Sequence, residues 1–106
     1  MPKFLVLYRS SSSAREQLAN ASPEDAKAGM DAWMAWAGRA GESIVDLGAP
    51  LDAPRRVGDG SGDPTGFSIL QADSSDDVVA LLKEHPHLHA SGNSIDVQEF
   101  MQIPGM

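Results

Sequence analysis

The chain has 106 residues and no cysteine. A disulfide framework, a thiolate metal site and a thiol nucleophile are therefore excluded. Basic residues are scarce: the net charge is −7, and residues 59–106 hold eight acids against one base, Lys83. Such a surface repels phosphate backbones, so nucleic acid is not an expected partner. No long apolar run is present. The opening run Phe4–Tyr8 is far too short for a signal peptide or a membrane span. The expected location is the cytoplasm, with no membrane association. A chain of this length makes one domain, residues 1–106. A domain of that size buries roughly two-thirds of its unfolded surface, enough for a single core.

The clearest signals lie between Thr65 and Phe100. Thr65–Ala72 is short and apolar, and predicts a strand. Ser74 with Asp77 three residues on resembles a capping box, and Asp76 and Asp77 place negative charge in the first helical turn. Val78, Val79, Leu81 and Leu82 form an apolar stripe at helical spacing. Pro86 disfavours helical geometry at His85, so the helix is expected to end there. Ser94–Phe100 alternates apolar and polar residues, as a half-buried strand does.

Upstream, Lys3–Arg9 is apolar on both faces, which predicts a central strand covered on both sides. The serine-rich Ser10–Asn20 reads as a mobile loop with a loose helical turn around Ala14–Ala19. Ser22, Pro23 and the acids Glu24 and Asp25 start a helix that Gly41 ends. Ala26, Met30, Trp33, Met34 and Ala37 share one face of it, with Trp36 a third of a turn away; two tryptophans and two methionines there could wall a ligand, and the plainer reading is that the face packs into the core. Glu42–Gly48 predicts a short strand. Ala49–Pro64 predicts an extended loop with turns at Asp59-Gly60 and Gly62-Asp63-Pro64, and a brief strand at Arg55–Val57. The tail Met101–Met106 reads as an arm lying over a surface.

The order β, α, β, loop, β, α, β predicts a ferredoxin-like α+β domain. Its four-stranded antiparallel sheet carries two helices on one face. The other face, holding Leu5 and Leu7 or their alternates on the first strand and the apolar alternates on the third, would otherwise meet water, and a homodimer packed sheet against sheet would cover it.

Several pieces resemble a known family. They are Leu7-Tyr8-Arg9, Ser22-Pro23-Glu24 before a tryptophan-bearing helix, and Val45-Asp46-Leu47-Gly48-Ala49-Pro50-Leu51. Further on come Thr65-Gly66-Phe67-Ser68-Ile69, Ala72-Asp73, His85-Pro86-His87-Leu88 and Ile95–Phe100. Their order and spacing, over nearly the whole chain, resemble the YCII-related domain family of the dimeric α/β-barrel group. That resemblance implies a ferredoxin-like homodimer and no settled activity. Some members of the family look as if they carry a histidine–aspartate pair with the histidine on the first helix. This chain has no histidine before His85, so the pair does not transfer. An Asp-Gly-Pro-Phe loop motif of another branch is absent too, since Asp59-Gly60 is followed by Ser61-Gly62.

His85 is the leading candidate for acid–base chemistry, with Asp46 or Asp96 to orient it. The competing reading is a histidine at a helix C-terminus interacting with the last carbonyls. Asp46 lies between Val45 and Leu47: in an apolar cleft it would serve as a general base, and at an exposed edge as a charge that deters aggregation. Tyr8 and Arg9 end the central strand and are candidate ligand anchors, and Trp33 is a candidate pocket wall or a core residue. The alternation His85, His87, His89 invites a metal reading. Pro86 and the helix end make that geometry irregular and no acid follows closely, so neither a metal nor a cofactor is expected. Gly58–Gly62 lacks the Gly-Lys-Ser/Thr ending of a phosphate loop, and Ser10–Ser13 lacks the context of a hydrolase nucleophile. The functional expectation is cofactor-free proton transfer on a small organic molecule, of isomerase or lyase type. The alternative is a non-catalytic dimeric module that binds a small ligand or associates with protein.

Overall fold

The structure, a computed structural model, describes residues 1–59 and 62–105. The Asp59-Gly60 turn and the Gly58–Gly62 segment therefore fall partly outside the described residues, as does Met106 of the tail. The elements are β1 (Lys3–Arg9), α1 (Ala14–Asn20), α2 (Pro23–Ala40), β2 (Ile44–Pro50), β3 (Gly66–Gln71), α3 (Ser75–Leu82) and β4 (Ser94–Glu99). Short 3₁₀ turns fill Gly41–Ser43 and Pro86–His89.

Each α-helix begins at a serine whose hydroxyl accepts an otherwise orphaned amide. Ser13 takes the N–H of Glu16, Ser22 that of Asp25, and Ser74 that of Asp77. Gly41 ends α2 with φ 53°, a left-handed conformation that a side chain disfavours. The serine-rich segment is thus more ordered than its composition predicts: one cap makes Ala14–Asn20 a helix. Conversely, no strand forms at Arg55–Val57, and β2 starts and ends two residues later than predicted.

The sheet order is β2-β3-β1-β4, with every neighbouring pair antiparallel. This is the ferredoxin-like α+β fold. The sheet has two unlike faces. Phe4, Val6, Tyr8, Ser68 and Leu70 are buried under α2 and α3, where they meet Trp36, Ala40, Val78 and Leu82. Leu5, Leu7, Phe67 and Ile69 point the other way and are half-buried in the single chain. Leu5 pairs with Ile69 and Leu7 with Phe67, so the four form one contiguous apolar patch.

The buried face of α2 differs from the predicted one. Trp36 is its most buried residue, and Trp33 and Ala37 pack beside it, whereas Met30 is 61% and Met34 52% exposed. In the tail, Met101 is 90% and Ile103 60% exposed in the single chain.

Register shifts on either side of Asp46 bend β2 against β3. Gly48 follows with φ 81°, and a Cβ there would fall 1.6 Å from the carbonyl oxygen of Phe67. No other residue fits that approach. The bend turns Asp46 onto the face of Ile69, the one remote from the helices, while Ile44 opposite Leu70 stays on the core side.

Candidate functional site

His85 is completely buried. α3 stops at Leu82, and Pro86 starts a 3₁₀ turn whose cap is His85 itself. The side chain therefore turns inward rather than lying along the helix terminus. The competing reading, a histidine ring interacting with the last helical carbonyls, is not realised: the ring's one hydrogen bond among the described residues is accepted from the His87 amide.

Three aromatic rings surround the imidazole. Its centroid lies 4.4 Å from Trp33, 4.4 Å from Trp36 and 5.0 Å from Tyr8. Trp36 is held by its indole N–H, which donates to the Leu81 carbonyl at 3.1 Å and ties α2 to α3. Tyr8 is held by a relay. The Ser68 hydroxyl donates to the Leu47 carbonyl at 2.6 Å, so the Tyr8 hydroxyl donates to Ser68 at 2.8 Å. Burial pushes the Tyr8 phenol above its ordinary value, partly offset by the Ser68 bond, so it stays protonated near neutrality.

The protonation of His85 follows from one bond. Its Nδ1 accepts the backbone N–H of His87 at 3.0 Å. An accepting nitrogen carries no proton, so the neutral ring carries it on Nε2. That Nε2–H is buried and has no hydrogen-bond partner among the described residues. Orphaned buried donors are rare and cost about 1–3 kcal/mol each. Burial, and then the nearby positive charges that His87 and His89 can carry, lower the His85 pKa from 6.5 to about 4. The ring is neutral at physiological pH.

His87 completes the cluster. Its Nε2–H donates to the Arg9 carbonyl at 2.8 Å, and its own carbonyl accepts from Asn93 at 2.9 Å. Its ring meets Tyr8 edge-on at 5.3 Å.

Of the residues singled out in the sequence, the fold gathers Tyr8, Trp33 and His85. Arg9 pairs with Asp96 on the far face, at a part-exposed site where such a pair contributes little. Asp46 is exposed, accepts the Gly48 N–H at 2.8 Å, and has the sheet between it and His85. Trp36, Ser68 and His87 also belong to the site; the sequence marks His87 only as a metal ligand to be rejected and Trp36 only as a helix residue that packs or walls a ligand. Ser68 carried a usable signal, as a polar residue at a core position of an apolar strand.

Two concavities lie elsewhere. An open groove of about 470 Å³ runs between α1 and Pro50–Asp52, and a hollow of about 160 Å³ adjoins it beside Ser10–Ser13 and Asp63–Thr65. Arg15 and Asp52 at the groove satisfy one another. The unsatisfied chemistry is at His85, and we place the candidate site there. Among the described residues no three histidines, cysteines, aspartates or glutamates are arranged to hold a metal ion, and no helix is long and apolar enough to cross a membrane.

No protein-family model matches the chain, and no curated protein matches it. Among solved structures it is similar to a 5-chloro-2-hydroxyhydroquinone dehydrochlorinase from Burkholderia phenoliruptrix, in complex with 2,5-dihydroxybenzoquinone. The two share 20% identity over 91% of each chain, with a TM-score of 0.50. The likeness is one of fold.

The His85 environment sets a pH dependence of stability. The unfolded chain protonates this residue near 6.5 and the folded chain only near 4. Between those values the unfolded state binds the extra proton, so stability falls as pH falls through that window and is unaffected above it. The loss is on the order of 3 kcal/mol. Denaturant unfolding at stepped pH will show it as a difference between the wild type and His85→Phe. Parallel curves for the two proteins between pH 6.5 and 4 would contradict the assignment.

Proposed function

We propose that the chain is a YCII-related protein of the dimeric α/β-barrel kind. It takes a small organic molecule at the His85 box and acts on it without a cofactor, by proton transfer of isomerase or lyase type. The observation that carries this reading is the orphaned Nε2–H of His85. Aromatic faces satisfy an N–H only weakly, and a carbonyl or phenolic oxygen does so far better. A neutral imidazole donor in a dry site stabilises charge developing on such an oxygen. Trp33 is the half-buried ring of the box, with Tyr8 and Trp36 almost fully enclosed, so a ligand would enter on its side. The neighbour of like fold is named for chemistry on a chlorinated hydroxyhydroquinone, an oxygen-bearing ring of the kind this box suits.

In this reading His85 has a narrower part than general acid–base catalysis. Its one lone pair holds His87, so it serves as a donor and not as a base. Tyr8 and Trp33 contribute ring surface, and the Tyr8 hydroxyl is already committed to Ser68. The reading gives no part to the side chains of Arg9 and Asp46, which lie on the far side of the sheet. A second reading, a non-catalytic dimeric binding module, is favoured by one fact. The side-chain hydrogen bonds of His85 and His87 run to backbone groups, and none to a carboxylate.

The dimer belongs to the same proposal. Leu5, Leu7, Phe67 and Ile69 form the apolar face that a second copy would cover, and a cytoplasmic location accompanies it.

Cyclohexanone, a small ring with one oxygen acceptor, will shift the Trp33 indole resonance saturably, and His85→Phe will abolish the saturation. An unshifted Trp33 in the wild type would contradict the site. Sedimentation at micromolar concentration is expected to give twice the chain mass, with Leu7→Glu returning it to the single-chain value. A wild-type protein at single-chain mass would sink the dimer.

A further inference from the structure

His87 offers the group that the His85 box lacks. A carbonyl only accepts, so the bond to Arg9 fixes the proton of neutral His87 on Nε2. The lone pair then sits on Nδ1. That atom has no partner among the described residues, and it is not among the buried unsatisfied ones. His87 is half-buried, so Nδ1 reaches the surface beside the box. The residue is fastened at its backbone N–H by His85, at its carbonyl by Asn93 and at its ring by the Arg9 carbonyl. A histidine anchored through one ring nitrogen with the other free has the arrangement of a positioned base.

A single bond sets both halves. The His87 N–H that occupies Nδ1 of His85 makes His85 a donor, and the same bond orients the backbone that carries His87. The two imidazoles rest against one tyrosine ring, at 5.0 and 5.3 Å, with opposite hydrogen-bonding character.

We propose that His87 Nδ1 is the proton acceptor of this site and His85 Nε2–H the partner for the ligand's oxygen, the ligand being a small ring ketone or its enol. This rests on the His85 box being the ligand site. In the step, a C–H bond next to the carbonyl breaks and its proton forms an N–H bond at His87 Nδ1. The electron pair left on carbon moves into the ring as a C=C bond, and the carbonyl pair moves to oxygen, which His85 stabilises. Return of the proton to the same or another carbon regenerates neutral His87. If a leaving group stands on the far carbon, the pair expels it instead. No oxidant, reductant or metal enters the balance.

The test follows α-hydrogen exchange of cyclohexanone in D2O by proton NMR, alongside the Trp33 indole shift. His87→Gln keeps an N–H for the Arg9 carbonyl and removes the base. The wild type is expected to accelerate exchange. His87→Gln is expected to keep the Trp33 shift and slow exchange by about a hundredfold. If cyclohexanone shifts Trp33 but exchange is absent, or is as fast in His87→Gln as in the wild type, the role of His87 is overturned and the binding site stands. If the wild type shows neither shift nor exchange, both fall.

Discussion

The hydrogen bond from the His87 amide to Nδ1 of His85 is the contact on which the candidate site depends. It does three things. It caps the 3₁₀ turn after α3, it fixes the proton of His85 on the nitrogen that has no partner, and it sets the backbone from which His87 reaches the Arg9 carbonyl. Protonating His85 requires breaking it, which adds to the effect of burial in keeping the ring neutral. An isolated buried donor is a cost to folding, and such local violations concentrate at functional or strained sites.

The fold makes that cost sustainable. β1 is central, and its inward residues Phe4, Val6 and Tyr8 carry the core under both helices. Trp36 bridges α2 to α3 through the Leu81 carbonyl, and Ser68 bridges β3 to the bent strand β2 through Leu47. These two bridges hold the walls of the box in place on opposite sides. Trp33 has no such tether among the hydrogen bonds of the described residues, and it is the ring that solvent reaches.

Local signals were legible in the sequence and tertiary ones were not. The caps at Ser22 and Ser74, the stop at Gly41 and the strand β4 depend on neighbours within a few residues and appear where expected, although burial along β4 does not alternate. The helix at Ala14–Asn20 reads in the sequence as no more than a loose turn, because it buries only Ala14 and so shows no apolar stripe. Met30 and Met34 looked like core because apolar spacing shows which residues share a face, not which face meets the sheet. Asp46 could not be placed because the register shifts beside it decide which side of the sheet it occupies. His85 was picked for its titration range. The feature that matters, its one lone pair already in use, arises from a chain reversal at Pro86 that sequence pattern does not encode.

The most direct measurement is a long-range nitrogen–proton correlation spectrum of the histidine rings at neutral pH. The account predicts neutral His85 with its proton on Nε2, Nδ1 in the range of an accepting nitrogen, and no titration until the pH nears 4. A proton on Nδ1, or an imidazolium at neutral pH, would contradict the donor assignment and with it the proposed site.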